Sequence, residues 1–189
     1  MSLTKLNARS ASALDATVLT GNLPAISGGS LTGISAGITA ASQWRVNSEF
    51  SGDAAPIASN WEVNDTTGYG GIGSAMSESS GIFTFPSTGI WLITFKVVYK
   101  EDGENRWAET AIQTTTNNST YINTGYGYGC NFAVTGNSYS MAFSQILFDV
   151  TDTSNCKCRF QSMVEDDSTQ AYCGDHQTTG VTFERLGDT

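Results

Sequence analysis

The amino-acid sequence predicts an all-β protein, a jelly-roll sandwich of about eight to ten antiparallel strands. Apolar side chains alternate with a period of two in residues 81–100 and again in residues 138–151, as strands with one face in a core require. Gly is abundant (20), Pro is rare (3) and charged residues are only 14%, which disfavours a salt-bridged helical bundle. Turn residues separate the apolar segments at regular intervals, a spacing typical of a sandwich.

Residues 1–40 differ from the rest and predict an extended stalk or attachment arm. They are rich in small residues, contain no aromatic side chain, and repeat the pattern of residues 19–26 in residues 31–38. Widely spaced apolar side chains form no core in one chain, whereas several chains wound together bury them along a shared axis. A disordered linker is the alternative. The residues expected to make the attachment are Leu19, Leu23, Ile26, Leu31 and Ile34.

Residues 41–189 are the predicted head, which begins with strands around Trp44 and over residues 57–63. A hairpin follows, with Pro86 in the turn because proline has no N–H to donate to a ladder. After the turn, one face of the second strand is strongly apolar and needs a second sheet to cover it. That face consists of Trp91, Ile93, Phe95, Val97 and Tyr99.

The second half of the head supplies further strands over residues 106–116, 121–134, 155–164 and 178–186. Cys156 and Cys158 share one face of their strand, so we expect both thiols to point inward as small hydrophobic groups. Reduced thiols, a disulfide from Cys173 to one of the pair, and a zinc site completed by His176 are the alternatives, in that order.

Residues 138–151 form a strand with two apolar faces, and this pattern bears on assembly. Ala142, Ile146, Phe148 and Val150 lie on one face. The opposite face of a strand in a monomeric sandwich is usually polar, so we expect a neighbouring subunit to cover it. The predicted subunit interface consists of Tyr139, Met141, Phe143, Gln145 and Leu147.

Charge and motif content narrow the function classes. The formal net charge of −9 disfavours nucleic acid and anionic membrane surfaces as partners. No apolar run is long enough to span a bilayer, and residues 1–16 lack the continuous apolar core of a secretory leader. His176 is the one histidine, is expected to be exposed, and has no nucleophile motif around it. We therefore expect a protein without catalytic activity.

A Tyr/Gly segment is the best candidate for ligand binding. Tyrosine combines a large contact area, few rotatable bonds and a polar tip, so exposed rings here would suit a sugar, with asparagine side chains donating hydrogen bonds. Packing against the sandwich or a subunit interface is the alternative. The candidate binding residues are Tyr121, Asn123, Tyr126, Tyr128 and Asn131. A Ca²⁺ ion at Glu165, Asp166 and Asp167 is a weaker expectation.

Residues 81–95 resemble the Gly-x-Phe-x-x-Pro-x-x-Gly-x-Tyr motif in the globular heads of complement-1q and tumour-necrosis-factor-like proteins, with Trp91 in place of the Tyr. Residues 180–188 resemble the last strand of that family. The resemblance implies a ten-stranded jelly roll assembled as a tight homotrimer, with the outer face of residues 139–149 near the threefold axis. The calcium-binding loops of the family have no clear match in this sequence.

Residues 19–28 are similar to stalk segments of bacteriophage fibre proteins, especially those of marine phages. Together the two resemblances imply a virion protein of the fibre type, made in the host cytoplasm without a signal peptide. Its trimeric head would bind a host-surface glycan or receptor, and its arm would bind other virion proteins. The alternative is a capsid decoration or head-fibre protein with a purely structural role. A glycan hydrolase using carboxylates among Glu101, Asp102, Glu104 and Glu109, or in residues 165–167, is less favoured.

Overall fold

The computed structural model describes residues 37–189, which form two packed antiparallel sheets and contain no helix in that range. It follows that no helix in this part of the chain is long and apolar enough to cross a membrane. The predicted attachment residues Leu19, Leu23, Ile26, Leu31 and Ile34 lie outside the described residues.

Residues 37–189 contain twelve strands, more than the predicted eight to ten because five of them are only two or three residues long. Such short strands leave too few alternating positions to be recognised by their period. The strands are β1 (Ala40–Val46), β2 (Phe50–Ser51), β3 (Trp61–Val63), β4 (Ser77–Ser79), β5 (Ile82–Thr84), β6 (Gly89–Glu101), β7 (Asn105–Thr115), β8 (Ile122–Asn131), β9 (Ser138–Val150), β10 (Lys157–Val164), β11 (Gln170–Tyr172) and β12 (Gly180–Gly187).

The seven-stranded sheet, sheet A, is built around β6. One edge of β6 pairs with β9 along its whole length, from Gly89 opposite Val150 to Glu101 opposite Ser138. The other edge pairs first with β12 and then with β11. β12 continues to β1 and β3, and β11 continues to β2. The five-stranded sheet, sheet B, has the order β4-β5-β10-β7-β8, so β8 and β9 each lie at the edge of a sheet.

Aromatic side chains from both sheets fill the space between them. The ring centroid of Phe83, on β5, lies 5.1 Å from Trp61 and 5.3 to 5.4 Å from Trp44, Phe160 and Phe183. Rings at this spacing pack edge to face or tilted, an arrangement that adds to the stabilisation from burial. The predicted jelly-roll sandwich is confirmed, and its core lies between the faces that the period-two alternation indicates.

The predicted hairpin around Pro86 is confirmed, with β5 before the turn and β6 after it. The inward face of β6 is fully buried, and the side chains of its outward face are half-buried. The inward side chains are those predicted, Trp91, Ile93, Phe95, Val97 and Tyr99.

The predicted strand over residues 57–63 is shorter in the structure, where only Trp61–Val63 is extended and paired. The preceding residues instead follow the edge of β10. The N–H of Ala54 donates to the carbonyl of Ser162, and the N–H of Ile57 donates to the carbonyl of Phe160, each at 2.8 Å. Pro56 interrupts any longer ladder because it has no N–H.

All four cysteines are unbridged in the structure. Cys156, Cys158 and Cys173 are buried, whereas Cys130 is exposed. The inward orientation predicted for Cys156 and Cys158 is confirmed, and of the alternatives left open by the sequence the structure has reduced thiols. Burial raises the pKa of Cys158 well above 9.0, so this thiol acts as a small apolar side chain.

Candidate functional site

The strands β8 and β9 lie together at one side of the sandwich. Within residues 37–189, β8 pairs only with β7 and β9 pairs only with β6, so each strand has an unpaired edge. The face of β8 that points inward carries Gly125, Gly127 and Gly129, and a Cβ atom on Gly127 would lie 1.9 Å from the carbonyl oxygen of Phe143 on β9. The glycines of the Tyr/Gly segment therefore let β8 pack directly on the β9 backbone, and the tyrosines point the other way.

The outer face of β9 is exposed and largely apolar. Tyr139, Met141, Phe143 and Leu147 are each between 48 and 64% exposed. Gln145, on the same face, donates from Nε2 to Oγ1 of Thr94 at 2.8 Å. On the inner face of the strand, Ala142 and Val150 are fully buried and Phe148 is nearly so, as the alternation predicts.

Exposed apolar side chains are concentrated on the hairpin formed by β8 and β9. Nine of the fourteen large apolar side chains that are exposed within residues 37–189 lie between residues 122 and 147. A concentration of this kind, beside two unpaired strand edges, marks an interaction surface. The nine are Ile122, Tyr126, Tyr128, Phe132, Val134, Tyr139, Met141, Phe143 and Leu147.

A second exposed surface lies on the outer face of sheet B. Tyr126 and Tyr128 project from β8 with ring planes within 10° of each other and centroids 6.3 Å apart. Pairing between β7 and β8 places Tyr126 opposite Ala111 and Tyr128 opposite Glu109. The nearby carboxylate of Glu109 raises the pKa of Tyr128, which keeps the phenol neutral and able to donate a hydrogen bond.

Polar side chains from three strands continue this surface. Arg159 donates from Nε to Oε1 of Gln113 at 2.6 Å, and Gln113 donates from Nε2 to Oδ1 of Asn123 at 2.6 Å. Asn123 in turn donates from Nδ2 to the hydroxyl oxygen of Tyr126. These bonds hold the amide groups in fixed orientations beside the two rings. We call this surface the tyrosine platform, and it consists of Glu109, Gln113, Asn123, Tyr126, Tyr128 and Arg159.

Two of the residues predicted to bind ligand have other roles. Asn131 is only 2% exposed, donates from Nδ2 to the carbonyl of Ser138 at 3.1 Å, and accepts from the hydroxyl of Ser140 at 2.8 Å. It therefore fixes the β8–β9 connection and is not available to a ligand, which corrects the prediction. The ring of Tyr121 lies 4.1 Å from the guanidinium carbon of Arg159 and supports it. Burial raises the pKa of Tyr121.

Gln113 and Arg159 belong to the site but were not among the candidates. They come from β7 and β10, which lie 8 or more residues away from the Tyr/Gly segment along the chain and reach it only through sheet pairing. The signal in the sequence is the polar half of the alternation on each strand. That signal places both side chains on an outer face, but it does not say which strands are neighbours.

The acidic residues of the predicted cation loop are already partnered. In a cleft of about 330 Å³ lined by Glu104, Arg106, Glu165 and Asp166, Arg106 pairs with Glu165 and lowers the pKa of Glu165. The N–H of Ser168 donates to Asp166 and lowers the pKa of Asp166. Residues 37–189 contain no group of three His, Cys, Asp or Glu side chains placed to hold a metal ion.

This cleft does not have the features of a glycosidase site. Such sites pair an ionised carboxylate with a carboxylic acid whose pKa is raised enough to donate a proton, whereas the shifts at Glu165 and Asp166 are both downward. Of the other candidate acids, Glu101 is buried and accepts from the hydroxyl of Ser168. His176 is exposed, as expected.

Comparisons with protein-family models and with curated proteins give no match for this chain. Solved structures with similar folds include murine APRIL at pH 8.5, at 12% sequence identity and a TM-score of 0.54, with 78% of this chain and 98% of that chain covered. Eiger TNF from S. frugiperda is similar at 12% identity and a TM-score of 0.57, with 82% of this chain and 96% of that chain covered.

At these identities the comparison shows the fold alone. The head predicted from the Pro86 motif is confirmed as a jelly roll of the tumour-necrosis-factor type. The strand order gives the same result independently, because two antiparallel sheets with long crossing connections are what a jelly roll requires. Fold by itself does not assign function, so the assignment depends on the two surfaces carried by β8 and β9.

Proposed function

We propose that this chain is a non-enzymatic virion protein of the bacteriophage fibre type, with a homotrimeric head that binds a host-surface glycan or protein. Residues 1–40 would attach the head to other virion proteins. The observation that carries the proposal is the exposed apolar face of β9, which sits beside the unpaired edges of β8 and β9. The phage context is supported by the likeness of residues 19–28 to fibre stalk segments.

The exposed face of β9 favours a permanent assembly on energetic grounds. Fully burying a large apolar side chain contributes roughly 1.5–3 kcal/mol. About half of each of the four large side chains on this face is still exposed, so covering them contributes about 4 kcal/mol for each copy of the interface. An unpaired edge 13 residues long is also a template for aggregation unless a neighbour covers it.

A closed ring of identical subunits covers this surface without leaving another one open. If the β8–β9 side of one subunit packs on a different face of the next, the contact is heterologous, and such contacts close only as rings or continue as filaments. Three subunits give the smallest closed ring with more than two members. Threefold closure also follows from the resemblance between residues 81–95 and the heads of complement-1q and tumour-necrosis-factor-like proteins.

Replacing Phe143 by Asp tests the assembly. Phe143→Asp would place a charge in the desolvated centre of the subunit contact, at a cost of several kcal/mol, so native mass spectrometry should find monomers or aggregates where the wild type gives trimers. Val63→Asp is the matched control, because Val63 is also exposed on sheet A but lies on β3, at the opposite edge. A wild-type head that is folded, soluble and monomeric would overturn the proposed assembly.

Staining of host cells separates the proposed function from its alternatives. We expect labelled wild-type head to bind host cells and to compete with phage adsorption. Particles that lose this protein and still adsorb normally would indicate the decoration or head-fibre role instead. Release of reducing ends from host polysaccharide, abolished by a carboxylate substitution, would contradict the non-enzymatic assignment.

A further inference from the structure

The tyrosine platform remains accessible in an assembly built on β9. The glycines of β8 face β9, and the rings of Tyr126 and Tyr128 project from the other side of β8, on the outer face of sheet B. The apolar face of β9 points outward from sheet A. The two surfaces are therefore on opposite outer faces of the sandwich, so a partner that covers one leaves the other exposed.

The ring faces on the platform provide two adjacent stacking positions. Tyr126 is 49% and Tyr128 is 64% exposed, and their planes are parallel within 10°. Both side chains stand on one strand, two residues apart, on a backbone that close packing of Gly127 against β9 holds in place. Parallel rings on a rigid backbone favour a ligand with flat apolar faces, since little side-chain entropy is lost on binding.

The polar groups of the platform suit hydroxyl and amide ligands. Gln113 and Asn123 are already oriented by hydrogen bonds to each other. The described contacts of Arg159 use its Nε and the face of its guanidinium group, so its terminal N–H groups can donate to a ligand. Glu109 supplies an acceptor beside Tyr128. Rings flanked by fixed donors and acceptors have the composition expected of a carbohydrate site.

Charge selects among carbohydrates. The platform carries one cation, Arg159, and one anion, Glu109, so its own charge balances. The whole chain carries a formal net charge of −9, which repels polyanions at long range. These charges favour a neutral saccharide over a chain bearing carboxylate or sulfate groups.

We infer that the tyrosine platform binds a neutral carbohydrate, whose sugar rings stack on Tyr126 and Tyr128 while their hydroxyl or N-acetyl groups bond to Gln113, Asn123 and Arg159. The inference deepens the proposed host-binding function and rests on it for the source of the carbohydrate. It assigns the ligand class and the face of the head that contacts it.

A printed array of defined oligosaccharides tests the inference with the full-length protein. The probes are neutral hexose and N-acetylhexosamine chains, together with matched chains that carry uronate, sialate or sulfate groups. We expect binding to neutral chains, weakened about tenfold or more by combined Tyr126→Ala and Tyr128→Ala substitutions, because both stacking faces are lost. Tyr128→Phe keeps the ring and should stay within about twofold of wild type.

Phe132→Ala is the matched control, since it removes an exposed aromatic side chain from the β8–β9 connection, outside the platform. We expect its binding to equal that of wild type. Native mass spectrometry of every variant shows whether assembly is unchanged. A change of assembly in the double tyrosine variant would overturn the inference, because it would make the platform a contact between subunits.

The inference also fails if wild-type protein binds no neutral chain, binds only the anionic chains, or binds equally well without the two rings. These outcomes are separable from failure of the proposed function. If the double tyrosine variant still stains host cells like wild type, the platform assignment is wrong while host binding stands. If wild type binds neutral chains on the array but no host cell, the platform assignment stands and the host-binding role is wrong.

Discussion

Burial determines the chemistry of the thiol of Cys158. Its side chain is completely enclosed in the core, and this burial raises its pKa well above 9.0. In the unfolded chain the same thiol meets water and loses its proton near its ordinary pKa. A raised pKa in the folded state means that the stabilising contribution is complete below about pH 9 and is lost as the pH rises further.

The free energy of unfolding should therefore fall with pH above about 9, by at most about 1.4 kcal/mol per pH unit for each buried thiol. Urea unfolding at several pH values between about 8.5 and 10 measures the slope. We expect Cys158→Ala to reduce the slope, whatever its effect on stability at neutral pH. Cys130→Ala is the matched control, because that thiol is exposed and should leave the slope unchanged. An equal slope in wild type and Cys158→Ala would contradict this account of the thiol.

At the scale of elements, the alternation of tyrosine and glycine on β8 has a structural cause. A Cβ atom at position 127 would meet the Phe143 carbonyl oxygen at 1.9 Å, at position 125 the Ile146 Cγ2 atom at 2.7 Å, and at position 129 the Met141 backbone at 3.3 Å. The side chain of Ile146 can move, whereas the backbone of β9 is held by its pairing with β6. The tightest constraint is thus at the centre of the strand.

Alanine substitutions along β8 should follow this order. Gly127→Ala forces the two edge strands apart and should destabilise the head by about 3 kcal/mol or more, the upper end of overpacking costs. Gly125→Ala should cost less, and Gly129→Ala least. Urea unfolding of each variant provides the measurement, and Gly70→Ala, which has nothing within 4 Å of the new Cβ, is the control. Equal stability of Gly127→Ala and wild type would mean that β8 and β9 are farther apart than described.

The whole molecule combines a head with an N-terminal segment of different composition. The buried aromatic core of the head lies entirely within residues 40–183, and Ala40 already belongs to β1. A deletion meant to remove the arm and leave the head intact must therefore end before Ala40.

Deletion of residues 1–36 should leave the thermal unfolding midpoint of the head unchanged within a few degrees, because no described core side chain is lost. The truncated protein should fold but should fail to join phage particles, since its proposed attachment residues are gone. Calorimetry measures the first expectation, and immunodetection on purified particles measures the second. Normal incorporation of the truncated protein would place the attachment surface on the head.

The fold could be predicted from the sequence because its signal is local. The faces of β6 and β9 repeat every two residues, and turn residues bound each long strand. The five strands of two or three residues lack this signal. The candidate site was predicted in part: the two exposed tyrosines and Asn123 come from one strand, whereas Gln113 and Arg159 join them through strand pairing.

The sequence by itself determined which side chains share a face and that β9 has two apolar faces, since both follow from the pleat of a single strand. Only the tertiary structure decided which polar side chains are buried. Arg45 alternates with Trp44 and Val46 yet is enclosed, with its Nε bonded to Glu62 at 2.7 Å. Asn131 is enclosed by bonds across the connection to β9. The exposure of a polar group depends on the segment that packs over it, and that segment is distant in the chain.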